Sequence, residues 1–577
     1  MKKILVIIIS LILSNQLFCA YLVNVPQTIT QPNGVTINCF VTGDEFYSWL
    51  HDSNNFTIVR NQNTGYYCYA ILVENVLVAS PYIVGVNDPE NSGLTQGINI
   101  YPQQIITNTP MYAPASSNTT INNPKNINNI VVYIRFSDQS EFPAIQANYS
   151  DMFNNNVANY RSMYNYFKEI SYGTTHIVSS FYPINNGTTI ISYQDAHTRN
   201  FYRPRTIVGD SGFVTIEYPY EGNTRTDREI SLLKNALNFV KNQIPTTLNL
   251  DDNNDGYIDN ICFIIRGNYE TGLKDKILWP HQSTFGEYLN LTINNKMAHS
   301  FNVQIESYSN VAVFCHEMGH TLGAPDLYHY NDNMTPVGSW DIMSGAYSSI
   351  PTSASSYTKF KWMGFINQIP TIDNSGHYTL QPITSSTNNC YKILSSNPNE
   401  YFVLEFRQKT GTFETNILGT GLLIYRINNL VTYGNSYGPP DEIYLYRPNG
   451  TLTNNGNYTI ANFNSANSRP LFNSLSNPNS FLSDGSIENF VIKNITVSGN
   501  SISFDVRLCS NTDITFSNTN MLPEVSNAVN TLNTSGSVII KSTDRITFEA
   551  GQEIILNTGF EVQQGGQLDV NIVTCGQ

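Results

Sequence analysis

His316-Glu317-Met318-Gly319-His320-Thr321-Leu322-Gly323-Ala324-Pro325-Asp326 decides the reading of this chain. Residues four apart on a helix share a face, so His316 and His320 present both imidazoles to one point while Glu317 projects beside them. Such a set suits zinc, which lowers the pKa of a bound water toward neutrality and polarises a carbonyl, and Glu317 then holds the position of general base. Gly323 falls where the helix must end, because glycine adopts left-handed geometry freely. The reversed chain then brings Asp326 back as a candidate third ligand. Asp326 also reads as a plain turn residue after Pro325, and Asp341 is the reserve carboxylate. Three protein ligands leave a fourth position open, as in catalytic rather than structural zinc sites.

Downstream, Gly338-Ser339-Trp340-Asp341-Ile342-Met343-Ser344 offers a methionine in a tight polar turn. Met343 there reads either as the residue beneath the metal or as ordinary core filling. With these residues the chain resembles the immune inhibitor A family of secreted zinc metallopeptidases. The resemblance is carried by the 316–326 motif, by Gly43-Asp44-Glu45-Phe46 with Trp49, by 162–173 (SMYNYFKEISYG), and by Trp279-Pro280-His281. It continues through 340–344, 400–408 (EYFVLEFRQ) and 419–427 (GTGLLIYRI). Where relatives often read Trp-His-Val-Asp after Gly-Leu-Leu-Ile, this chain has Tyr425-Arg426-Ile427-Asn428, so no role of that histidine or aspartate carries over. The resemblance implies a metzincin-like α/β zincin catalytic domain, an N-terminal propeptide and protein or peptide substrates.

At 577 residues the chain exceeds what one core usually supports, so several domains are expected. Only 13% of residues are charged, the net charge is −14, and no basic run follows the first three residues, which argues against nucleic acid or anionic membrane as a partner. Lys2 and Lys3 precede the apolar run 4–13, which reads as a secretory signal ending near Ala20. No later stretch approaches the roughly 18 uninterrupted apolar residues of a membrane helix. A secreted or cell-surface protein is the consequence. In an oxidising compartment Cys39 is free to pair with Cys68, and Cys509 with Cys575, whereas Cys262 and Cys315 read as buried thiols.

The divisions expected are a signal peptide at 1–20, propeptide and linker at 21–129, a catalytic domain at 130–368, an antiparallel β-sandwich at 369–508 and a small all-β repeat module at 509–577. Residues 102–129, rich in Asn, Thr, Pro and Ser, suit an activating cut. The apolar run 130–136 reads as the first buried strand, and 162–170 and 232–243 as helices. Asp251, Asn253, Asp255 and Asp259 occupy calcium-loop positions around Gly256, but Cys262 stands where an EF-hand needs glutamate. The loop is therefore either a strand-linked calcium site or a solvated turn. For 509–577 a resemblance to repeat modules of Bacteroidetes secreted proteins implies surface attachment.

The leading functional reading is a secreted zinc endopeptidase made as a zymogen, its metal blocked in the precursor by Cys39, Cys68, Asp44 or Asp52. The alternative is a catalytically silent adhesin or binding protein on the same scaffold, against which an intact Glu317 argues. A zinc hydrolase of non-peptide amides is a third.

Overall fold

A computed structural model describes residues 22–43, 48–61, 64–73, 76–98, 125–185, 187–202, 205–208, 214–217, 225–267, 280–285, 291–330, 332, 334–345, 349–432, 434–508 and 513–573. The expected signal peptide, the 102–124 part of the linker, Asp44 and the Cys509–Cys575 pairing lie outside them. Many sheets and few helices make up the described chain.

The β-branched strand Asn126–Arg135 is buried along most of its length and lies inside a mostly parallel sheet. Its neighbours are Ile261–Ile265 and His176–Tyr182, both parallel to it. Ser300–Ile305 follows in parallel beyond Ile261–Ile265, and His281–Thr284 closes that end antiparallel. Alternation along the strand sorts its side chains to two cores. Ile130, Val132 and Ile134 join Leu233 and Leu237 of the helix Arg225–Val240. Val131 and Tyr133 share the opposite core with Phe314, Cys315 and Met318 of the helix Val311–Thr321. Both faces are thus covered by helices, as parallel sheets require.

Residues 22–83 form a six-stranded antiparallel meander in sequential order, and its Ile29, Ile37, Leu50 and Ile58 enter the same core as Ile130. Cys39 and Cys68 are free and buried, which corrects the expected pairing. They lie on the second and fifth strands of the meander. Three strand spacings, about 14 Å, separate those strands, well beyond the Cα span of a disulfide.

Downstream, a four-stranded antiparallel sheet and a three-stranded one share a single core. Phe402, Leu404, Leu422 and Ile424 face Phe504 and Ile492 there. The intervening Val403, Leu423 and Tyr425 point the other way, into the core of the helix Val311–Thr321. The strand Gly421–Asn428 is consequently buried throughout. At the C-terminal end the strands pair in parallel: Thr531 aligns with Glu553 and Arg545 with Gln567, a step of 22 residues that stacks coil on coil. The helix expected at 232–243 begins earlier, at Arg225, because its first turn is polar and gives no apolar periodicity, and its end is a short 3-10 turn, Lys241–Gln243.

Candidate metal centre and active site

Asn310 caps the helix Val311–Thr321, its side-chain oxygen accepting the N–H groups of Ala312 and Val313. At the other end the Thr321 hydroxyl donates to Asn260 Oδ1 at 2.9 Å, and Asn260 is tied to Asn129 and Asn302 on the neighbouring strands. A buried polar rung therefore fixes the helix end against the sheet. Gly323, at φ +91°, reverses the chain just beyond it.

That reversal brings Asp326 over the two histidines. His316 Nε2 and His320 Nε2 are 3.1 Å apart, and Asp326 Oδ1 lies 3.2 Å from the first and 3.4 Å from the second. Each imidazole presents its Nδ1 to a backbone carbonyl, Ile342 O at 2.9 Å and Ala324 O at 2.8 Å. A carbonyl only accepts, so both Nδ1 atoms carry the proton and both Nε2 lone pairs face the same point. Asp326 Oδ1 is buried with no hydrogen-bond donor. Three acceptors converging without a donor is the arrangement a cation satisfies. With zinc bonds near 2.0–2.1 Å, tetrahedral ligands stand about 3.3 Å apart, and the three separations fit. Among the described residues this is the one group of three potential ligands so assembled.

Burial holds the Glu317 carboxyl above the ordinary carboxylate range, against the opposing pull of His316, His320 and His281. Burial disfavours the charged form of His320, but Asp326 outweighs it and raises that imidazole to about 9, a second proton that a cation held by the three residues would displace. Burial likewise opposes the Asp326 carboxylate, which the two histidines nonetheless hold far below the usual range.

Met343 lies in the turn after Asp341, with its sulfur packed against Gly319 between the two histidines. Asp341 is not part of the cluster of His316, His320 and Asp326. It accepts the N–H groups of Met343 and Ser355 and the Thr358 hydroxyl, so it is spent on holding this turn.

Two features escaped the sequence. Tyr330 donates its hydroxyl to Asp326 Oδ2 at 2.5 Å, fixing the carboxylate whose other oxygen faces the histidines. His329, buried, lies between Asp332 Oδ1 at 2.9 Å and Asp441 Oδ1 at 2.5 Å, and so clamps the Asp326 loop to the downstream sheets. Nothing in the local pattern marks either residue, since no helical or strand period links them to the motif.

In the loop at 251–259 the carboxylates serve the loop itself. Asp251 accepts the Asp255 and Gly256 N–H groups and pairs with Lys296 Nζ at 2.6 Å. Asp255 accepts from Tyr257 N and from the Asn253 amide. Asp259, accepting from Asp252 N, is pushed up to about 7 by burial, with Asp252, Asp251 and Asp255 adding repulsion. Of the residues considered for latency, Asp52 caps the N–H groups of Asn54 and Phe56 as a turn residue. The Cys39 thiol is pushed up to about 11 by burial.

Among the described residues, no helix is long and apolar enough to cross a membrane. No curated protein matches the chain. Residues 129–363 match the family model of the immune inhibitor A peptidase M6 catalytic domain. That stretch contains the parallel sheet, the helix Val311–Thr321 and the turn of Met343. Residues 129–363 are thus similar to the peptidase M6 catalytic domain of immune inhibitor A, which supports a peptidase function for this stretch.

Proposed function

We propose that the protein is an exported zinc-dependent endopeptidase, made as a zymogen, in which His316, His320 and Asp326 hold the metal and Glu317 is the general base. The observation that carries this reading is the convergence of His316 Nε2, His320 Nε2 and Asp326 Oδ1 at separations of 3.1, 3.2 and 3.4 Å. Zinc held there would supply an acidified water and a polarised scissile carbonyl. Glu317, adjacent to His316 and raised by burial, accepts the proton of the attacking water and returns it to the leaving amine. Ile342 O and Ala324 O keep the imidazoles in the tautomer that leaves Nε2 free, while Tyr330 orients Asp326. Gly323 turns the chain and Met343 packs against Gly319 of the histidine-bearing helix.

In this reading 1–20 is a signal peptide, 21–129 a propeptide and linker, 130–368 the catalytic domain, 369–508 a β-sandwich that buttresses it, and 509–577 a repeat module for cell-surface attachment. Latency is supported by Trp49 of the N-terminal sheet, which packs against Tyr328, two residues beyond Asp326. Asp52 caps its own turn and the Cys39 and Cys68 thiols are buried, which favours Asp44 as the blocking ligand. The carboxylates crowding Asp259 favour calcium at 251–259, since a cation relieves their repulsion. Metal analysis together with casein hydrolysis tests the reading. Zinc at one equivalent and cleavage lost on chelation are expected, and a protein that binds no zinc and cleaves nothing after the linker is cut contradicts it.

A further inference from the structure

Beside Asp326 stands an aromatic wall whose ring faces the hydrolytic chemistry does not use, although the Tyr330 hydroxyl orients Asp326. Tyr328 is buried, and its ring meets that of Tyr330 edge-on at 5.4 Å and 60°. Tyr330 meets Tyr437 at 5.9 Å and 78°. The wall is anchored at its inner end by the Tyr330 hydroxyl on Asp326 Oδ2 and ends outward at Tyr437, which is 51% exposed. Backbone bonds hold its two halves in register: Tyr330 N donates to Ser436 O at 3.0 Å, and Asn435 N donates to Asp326 O at 3.0 Å. It thus runs from the Tyr330 hydroxyl on Asp326 toward solvent at Tyr437.

One residue from elsewhere in the chain is seated on it. Trp49, on the strand Ser48–His51, packs against Tyr328. Its neighbour Leu50 points into the core shared with Ile130. Alternation along the strand therefore dedicates opposite faces to opposite tasks: Leu50 holds the sheet, and Trp49 occupies the wall.

A segment that blocks a peptidase by lying in its cleft fills the space that substrate side chains later fill. We infer that Tyr328, Tyr330 and Tyr437 form a side-chain subsite selecting aromatic residues of a peptide substrate, and that Trp49 occupies it in the precursor. The inference rests on the zymogen reading above and names the substrate class of the same site. Its physical basis is specific. Edge-to-face packing on tyrosine rings rewards a flat, large ring beyond the area it buries, whereas a short aliphatic side chain gains only part of that area.

The test uses the full-length precursor, cut within 102–129, and a set of peptides that differ at single positions around one scissile bond. At one position, Trp, Tyr and Phe are expected to raise kcat/KM by roughly tenfold or more over Ala, because a buried aromatic side chain is worth that much or more. Tyr437→Ala should lower the ratio of aromatic to alanine rates at that position. Trp49→Ala should let the uncut precursor cleave the aromatic peptide faster than the wild-type precursor does. A cut, active enzyme with equal rates on aromatic and alanine peptides at every position overturns the subsite while leaving the zymogen reading intact. A wild-type precursor as active before cutting as after overturns the zymogen reading itself. Both results come from the same samples, and the wild-type rate ratio decides the subsite even if a variant fails to fold.

Discussion

Gly319 and Met343 divide a volume that only one of them can fill: a Cβ on Gly319 would stand 2.5 Å from Met343 Sδ. Met343 is fully buried, so its sulfur has little room to retreat. The fit leaves the Gly319 side of the helix in direct contact with the turn that carries Ile342 O, the acceptor for His316 Nδ1.

Gly319→Ala is therefore expected to destabilise the protein by about 1–3 kcal/mol, the usual range for overpacking a dense core. It should also weaken zinc binding by displacing the turn. Pairing it with Met343→Ala should recover part of the loss, giving a favourable coupling in a double-mutant cycle of denaturant unfolding. Strict additivity of the two substitutions contradicts the shared volume.

Tyr330 acts through Asp326. Tyr330→Phe removes the hydroxyl on Oδ2 while keeping the ring, and should weaken zinc affinity by roughly tenfold to a hundredfold, as loss of an outer hydrogen bond to a ligand does. Asp326→Ala should cost more, since it removes a ligand. Competition with a zinc indicator measures both. Unchanged affinity in Asp326→Ala assigns the third position elsewhere.

His329 gives a pH signature. Burial lowers its pKa, but Asp332 and Asp441 prevail and raise it to about 9, above its ordinary 6.5. A raised histidine pKa means that its contribution is complete below about 6.5 and is lost as pH rises through about 9. Stability in denaturant should fall across that window, and His329→Gln should flatten the fall. An equal slope in wild type and variant places the pH dependence in other groups.

The calcium site proposed at 251–259 is tested through stability. With Asp259 raised to about 7, the native state holds a proton there that the unfolded chain has released above about 4, so this carboxyl destabilises the fold as pH climbs toward and past 7. Added calcium should raise the melting temperature at neutral pH with zinc kept saturating. Asp259→Asn should abolish that rise and, without calcium, stabilise the protein. A melting temperature indifferent to calcium makes the loop a hydrogen-bonded turn held by Lys296.

What the sequence discloses is what local periods encode. The four-residue spacing of His316 and His320 and the left-handed freedom of Gly323 are properties of one helix and its end, so they are readable without a fold. The contacts of Tyr330 with Tyr437, His329 with Asp441 and Trp49 with Tyr328 join residues brought together only by tertiary packing, and no periodicity marks them. The Cys39 and Cys68 pairing fails for a related reason: closeness in sequence says nothing of how many strands intervene. The early start of the helix at Arg225 was hidden because a polar first turn carries no apolar period.

The central claim is that Glu317 is the base of a zinc site made by its neighbours. Glu317→Gln preserves the size of the side chain and removes only its capacity to take a proton. Zinc content and peptide hydrolysis should be measured side by side on the cut wild-type and variant enzymes. The account predicts one zinc per chain in both, with kcat/KM of the variant lower by at least roughly a hundredfold. Hydrolysis near the wild-type rate in a zinc-loaded Glu317→Gln enzyme, or wild-type hydrolysis with no zinc bound, would contradict it.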